Sequence, residues 1–158
     1  MSTDRRLRLV AIVLATVGLC VAAYLTYIHY EGIKPVCGLG GNCEKVQSSE
    51  WSKLAGVPVA VLGLVGYVAI LATLFIDREE ALIAGALFSL AGFGFSAYLT
   101  YLELFVINAI CQWCVASAVL MTLLLCINTA RAFRYGGAGV DLVGETDGRL
   151  KPAFRDEI

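Results

Sequence analysis

Charged side chains are scarce in this sequence, and four long segments have none at all. Of its 158 residues, 16% are Asp, Glu, Lys or Arg, against 59% hydrophobic, and the mean hydropathy is +0.78. A soluble domain of this size could not keep so much apolar surface from water, so composition excludes that class and leaves a membrane protein. The charge-free runs are 9–28, 54–76, 81–102 and 104–130, of 20, 23, 22 and 27 residues. A helix rises about 1.5 Å per residue, so about 20 apolar residues cross the hydrocarbon core. Four runs predict four spans. A small-x-small cleavage site is also missing after the first run. Arg5, Arg6 and Arg8 would suit a signal-peptide n-region, but the run is too long and ends in Tyr24-Leu25-Thr26-Tyr27, so a retained helix is expected. The net charge of −1 says nothing about partners, and none of nucleic-acid type is expected.

With four spans, the N-terminus, the 2–3 connection and the C-terminal tail share one side. That side carries Arg5, Arg6, Arg8, Arg78, Arg131 and Arg134, whereas the long 1–2 loop carries only Lys34, Lys45 and Lys53. Positive charge near span ends marks the cytoplasm, so both termini are expected inside. Asp77-Arg78-Glu79-Glu80 reads as a short cytoplasmic turn, and the 3–4 connection, roughly Glu103–Ile110, as a nearly uncharged external one. From Tyr135 the chain is rich in Gly and charge and lacks periodicity, which predicts a flexible cytoplasmic tail over 135–158 after a transmembrane domain over 1–134.

An internal repeat divides the transmembrane part. Ala23-Tyr24-Leu25-Thr26-Tyr27 recurs as Ala97-Tyr98-Leu99-Thr100-Tyr101, and each first tyrosine precedes a cysteine, Cys37 or Cys111, by 13 residues. Either two apolar helices have converged on a small alphabet, or each half is a helix, an external cysteine pair and a helix.

Six cysteines occur. Cys20 and Cys126 fall inside spans, where cysteine is usually a small apolar filler. The other four are paired as Cys37-x5-Cys43 in the first external loop and Cys111-Gln112-Trp113-Cys114 at the start of span 4. Pairs that follow spans 1 and 3 share a side whichever way the chain inserts. On the orientation above, that is the side where disulfides persist. The Cys-x-x-Cys falls in the first turns of a helix, with Asn108 a candidate N-cap, where free N–H groups and the dipole favour a thiolate. Cysteines three apart share a helix face. Cys114 lies a turn deeper than Cys111, so an acceptor dissolved in lipid could reach it. Between Cys37 and Cys43, Gly38, Gly40, Gly41 and Asn42 predict a flexible backbone. Such a loop disulfide could meet an outside protein and then swing to Cys111, as exchange through a mixed disulfide requires. Ser48-Ser49-Glu50-Trp51-Ser52-Lys53-Leu54 reads as a short capped helix at the interface, a lid over the bundle. Rival readings are a structural zinc site, for which Cys-x5-Cys is wide, and two inert disulfides in a scaffold or transporter. A transporter would normally carry intramembrane charge, and these runs carry none.

Cys37-x5-Cys43-x5-Ser49-Glu50-Trp51, Gly56-x-Pro58 opening a span and Cys111-x-x-Cys114 opening the last one together resemble the vitamin K epoxide reductase family in its bacterial form. The resemblance runs from about Leu9 to Ala130. It implies an all-α membrane protein: a four-transmembrane-helix bundle, with the short interfacial helix lying in the external loop between spans 1 and 2. It also implies a thiol–disulfide oxidoreductase of the bacterial inner membrane, in which a thioredoxin-fold partner reduces the loop pair. The loop pair then reduces Cys111–Cys114, and Cys114 reduces a quinone, menaquinone or ubiquinone, with no metal involved. Ser49 takes the position of the family's site-shaping serine. The expected quinone pocket draws on spans 2, 3 and 4, with Val59, Leu62, Phe95, Leu99, Glu103 and Ala118 as candidates beside Trp51. Glu103 has a simpler alternative, a solvated helix end. Animal members carry an amide in span 2 and a tyrosine in span 4 where Val59 and Ala118 stand here, so quinone reduction is expected rather than epoxide reduction. Many bacterial members carry a fused thioredoxin-like domain. None follows before Ile158, so a separate periplasmic dithiol oxidase is the expected partner.

Overall fold

A computed structural model describes residues 3–38, 42–49, 52–54 and 56–150, without side chains for Gln47, Leu54 and 135–150. The elements in order are α1 (Thr3–Glu31), α2 (Cys43–Gln47), β1 (Lys53–Leu54), β2 (Val57–Pro58), α3 (Val59–Phe75), α4 (Glu79–Leu102), a π-helical turn (Glu103–Ile107) and α5 (Gln112–Leu150). The four long helices close a ring in which α1 packs on α3, α3 on α4, α4 on α5 and α5 on α1.

Small residues let these helices approach closely. On α1 the buried positions are Ala11, Ala15, Gly18, Ala22, Leu25 and Ile28, a stripe at steps of three or four that keeps one face inward. Gly18 meets the ring of Tyr67 on α3, where an added Cβ would lie 2.1 Å from Tyr67 Cε1. On α4, Gly85 and Ser89 admit Asn128 of α5, whose Nδ2 donates to Ser89 Oγ at 2.8 Å. Close packing of this kind is what holds helices together where lipid offers no hydrophobic drive. The opposite faces expose Val13, Val65, Leu87 and Val119, each more than half accessible. That surface belongs in hydrocarbon. Three helical stretches, Thr3–Glu31, Glu79–Ile107 and Gln112–Arg134, are long and apolar enough to cross a membrane, and α3 is a shorter apolar helix of 17 residues.

The arginine-bearing end is tied by charge. Arg8 donates to Leu74 O at 2.7 Å and pairs with Asp77 at 2.6 Å, while the buried Arg131 pairs with Asp4 at 3.0 Å. The turn from α3 to α4 is as short as expected, and Glu79 and Glu80 stand in the first turn of α4, where the helix dipole favours them.

Two local expectations need correction. Of the expected Ser48–Leu54 helix, Lys53–Leu54 is strand β1, and Glu50 and Trp51 lie outside the described residues; the short helix described in this loop is α2, Cys43–Gln47. Ser48 closes that helix instead of opening one, because its hydroxyl turns back to Glu44 O at 2.8 Å. Lys53–Leu54 then pairs antiparallel with Val57–Pro58 around Gly56, whose φ of +85° only glycine adopts readily. The 3–4 connection begins as a π-helical turn. Asn108 caps no helix start; it ends that turn in the left-handed conformation at φ 49°, which asparagine tolerates. The helical backbone of α5 continues to Leu150, and 151–158 lie outside the described residues.

Candidate functional site

The site is built around the segment from Glu103 to Cys114. In the π-helical turn, the Glu103 carbonyl takes the amides of Asn108 and Ala109, the latter at 3.0 Å. That wraps the chain about Glu103 and turns its side chain inward, so it is 3% exposed. Its carboxylate accepts the Cys111 N–H at 3.0 Å. The solvated-end reading of Glu103 is therefore wrong: the widened turn points the side chain into the bundle. The first regular bond of α5 runs from Val115 N–H to Cys111 O, so Cys111 itself caps the helix. Its sulfur faces the Cys114 thiol and the free N–H groups of Cys114 and Trp113. The Cys114 thiol first, and those amides after it, hold Cys111 below the ordinary thiol range against the opposing effects of burial and Glu103. A capping cysteine at a helix N-terminus is the arrangement that favours a reactive thiolate. Cys111 and Cys114 are both free, and Cys114 packs against the cluster that holds Cys111.

The loop pair is oxidised and packed on this segment. Cys37 and Cys43 form a disulfide with their Cα atoms 6.2 Å apart. Cys43 opens α2 and is fully buried in one cluster with Val46, Ala109 and Cys111, and Cys37, Trp113 and Cys114 pack against it. All four sulfurs are thus gathered at one end of the bundle. Backbone flexibility was the expectation for Gly38, Gly40, Gly41 and Asn42, but both described ends of that stretch are pinned. Gly38 N–H donates to Gln112 Oε1 at 2.9 Å and Asn42 N–H to Ile110 O at 3.1 Å. Trp113 Nε1 donates to Val36 O at 2.9 Å, and Val36 N–H to the Tyr24 hydroxyl at 3.2 Å. The Tyr24 and Trp113 rings sit 5.3 Å apart. The two residues inside the Cys-x-x-Cys therefore dock the loop. In the repeat, Tyr24 carries this contact, whereas its counterpart Tyr98 is 45% exposed; the two halves have diverged in use.

Beneath the sulfurs a cavity of about 90 Å³ opens between the helices. Its walls are mostly apolar, with Ser49, Ser52, Ser96, Thr100, Glu103, Cys114 and Ser117 supplying the polar atoms. Of the expected pocket residues, Val59, Leu99 and Glu103 line it, as does Ser49, whose hydroxyl donates to Val46 O at 2.7 Å. Leu62, Phe95 and Ala118 do not: Leu62 turns outward at 37% exposure, and the other two are half-buried behind the wall. Trp51 lies outside the described residues. The cavity also takes Val21, Ala22 and Leu25 from α1, a helix that the sequence reading left out of the pocket. The missed hydroxyls had a signal in their spacing. Ser96, Thr100 and Glu103 fall four and three apart on one helix face, and Ser117 stands three after Cys114. Among the described residues, no three His, Cys, Asp or Glu side chains are grouped to hold a metal ion.

The vitamin K epoxide reductase family model matches residues 9–129. That span contains the four long helices' apolar parts, both cysteine pairs and the cavity between them. Its members are membrane proteins of disulfide and quinone redox chemistry. This chain belongs to the vitamin K epoxide reductase family.

Proposed function

We propose that this protein oxidises the dithiol of a thioredoxin-fold protein at the outer face of the cell membrane and delivers the electrons to a quinone in the bilayer. The observation that carries the proposal is the seating of the Cys37–Cys43 disulfide on the Cys111–Cys114 helix start, with Cys114 lining an apolar cavity. On this reading α3, about 25 Å long at 1.5 Å per residue, is a fourth span. Both termini are cytoplasmic, and residues 135–158 follow the transmembrane domain as a cytoplasmic tail.

The electron path follows from exposure. Cys37 is the more accessible loop sulfur and Cys43 is fully buried beside Cys111. The partner's thiolate attacks Cys37, and its second thiolate resolves that mixed disulfide, leaving Cys37 and Cys43 as thiols and the partner oxidised. Cys43 then attacks Cys111 of the oxidised Cys111–Cys114 bond, Cys114 leaves, and Cys37 attacks Cys43 to restore the loop disulfide and free Cys111. Finally Cys111 and Cys114 re-form their bond, and two electrons and two protons convert the quinone, ubiquinone or menaquinone, to its quinol. Each cycle makes one disulfide in the partner, which passes it to exported proteins. Ser49 shapes the cavity rim, and Val59 and Leu99 supply apolar walls for the quinone ring.

Substitution of Cys114 by Ala separates the steps. The Cys114→Ala protein in lipid nanodiscs is expected to lose quinone reduction while its loop pair still exchanges with a thioredoxin-fold dithiol. Normal quinone reduction by that variant would contradict the path. A zinc-site reading has less support, since two of the four sulfurs are bonded to each other; a scaffold with inert disulfides is the rival to separate. Thiol counting before and after adding quinone separates it, because a scaffold's count stays fixed.

A further inference from the structure

We propose that Glu103 is a catalytic residue of the quinone-reducing step: its carboxylate takes the Cys114 thiol proton and passes it to a quinone oxygen in the cavity. The inference rests on the quinone-reductase reading above and gives its last step a proton path.

A carboxyl group buried in the bundle is costly unless something compensates it. Glu103 is 3% exposed and makes no salt bridge among the described residues. Its one directed partner there is the Cys111 amide, which accounts for one of its two oxygens. Capping alone does not explain the choice of residue. An asparagine or serine would accept an amide without bringing an ionisable group into the bundle. Cys114 and Glu103 line the same cavity, and the carboxylate is bonded to the amide of Cys111, three residues before Cys114. The titratable groups around Glu103 are Cys114 and the neighbouring Cys111 on the α5 side. The remaining polar lining on α4, α5 and the first loop (Ser49, Ser52, Ser96, Thr100, Ser117) is neutral. The π-helical turn that aims the side chain inward is an uncommon element, met most often at functional positions.

The step balances without any further reagent. The reduced pair holds two S–H bonds and the quinone two carbonyl oxygens. Glu103 accepts the Cys114 proton as that sulfur becomes a thiolate, and the S–S bond to Cys111 forms as two electrons leave for the quinone. The carboxylic acid then protonates one quinone oxygen and is a carboxylate again. The proton of Cys111 goes to the other oxygen, giving disulfide and quinol with Glu103 unchanged.

Glu103→Gln is the test, because its amide oxygen still accepts the Cys111 N–H but cannot carry the proton. The full-length chain in lipid nanodiscs is reduced, freed of reductant and mixed with a short-chain ubiquinone analogue in a stopped-flow instrument. General acid–base groups contribute about 10²–10⁴-fold, so Glu103→Gln should slow the single-turnover rate about 100-fold or more, with KM for the quinone kept and the rate's pH dependence flattened. Glu103→Asp, which retains an ionisable oxygen, should recover part of the rate and its pH dependence. A Glu103→Gln rate close to wild type, or a loss confined to KM, overturns the proposal. So does equal loss in the Gln and Asp variants, which would mark a purely structural role. A wild-type protein that fails to reduce the quinone at all sinks the function reading instead.

Discussion

Trp113 lies between the two cysteines of the Cys-x-x-Cys, and its indole N–H holds the loop through Val36 O at 2.9 Å. Trp113→Phe keeps an aromatic ring against Tyr24 and removes only that donor. A neutral hydrogen bond contributes about 0.5–1.5 kcal/mol net. The contact is exposed, so water can replace the lost partner and the lower half of the range applies. A loss of about 0.5–1 kcal/mol lowers the docking equilibrium constant of the loop about 2- to 5-fold at 1.4 kcal/mol per tenfold. Three other links, from Gly38, Asn42 and Val36 N–H, remain, so the fold should survive. Adding Gln112→Ala removes the Gly38 contact and should deepen the effect to about 10-fold; the two sites are adjacent, so simple additivity is not expected. The assay starts from protein reduced only at the loop pair. Acid quenching, alkylation and mass spectrometry then follow the appearance of thiols at Cys111 and Cys114. An exchange rate in the double variant equal to wild type would show that the loop's docking contacts do not position the sulfurs, and would refute the reasoning.

Other consequences concern the bundle and its cavity. Gly18→Ala drives a methyl into the fully buried Tyr67 ring and should lower stability by about 1–3 kcal/mol, read as an earlier thermal transition in detergent. Tyr67→Phe should cost about 0.5–1.5 kcal/mol, because Tyr67 OH and Ser117 Oγ are 2.9 Å apart; quinone KM is the companion readout, since Ser117 lines the cavity. Asn128→Leu removes the donor to Ser89 Oγ and crowds Gly85, which should destabilise the α4–α5 contact by about 1–3 kcal/mol. Unchanged thermal denaturation midpoints in these variants would count against the packing described.

The long apolar helices and the meeting of the two cysteine pairs were legible in the sequence because each rests on a strong local signal. Charge-free runs announce helices in lipid, and the Cys-x-x-Cys spacing announces a redox pair before any packing is known. The first loop was harder. Ser48 looks like a helix start by residue type, yet the same hydroxyl can close a helix by turning back four residues to Glu44 O. Nothing local distinguishes the two outcomes. The solvated-end alternative for Glu103 failed for a similar reason. A carboxylate at the end of an apolar run normally faces water, and only the π-helical turn, set by where the chain must enter α5, turns it inward. The cavity depends on tertiary contact, so α1 was missed altogether; Val59 and Leu99 line it, whereas Leu62, Phe95 and Ala118 do not. Ser96, Thr100 and Ser117 could have been found, since their spacing puts them on the faces of Glu103 and Cys114.

The most direct test of the relay is a chain that retains only one sulfur of each pair. In Cys37→Ala/Cys114→Ala protein, mild oxidation in lipid should produce a Cys43–Cys111 disulfide, identified by peptide mapping. The Cys43→Ala/Cys114→Ala chain should form the corresponding Cys37–Cys111 bond far more slowly. Absence of the Cys43–Cys111 bond, or faster bonding through Cys37, would contradict the account.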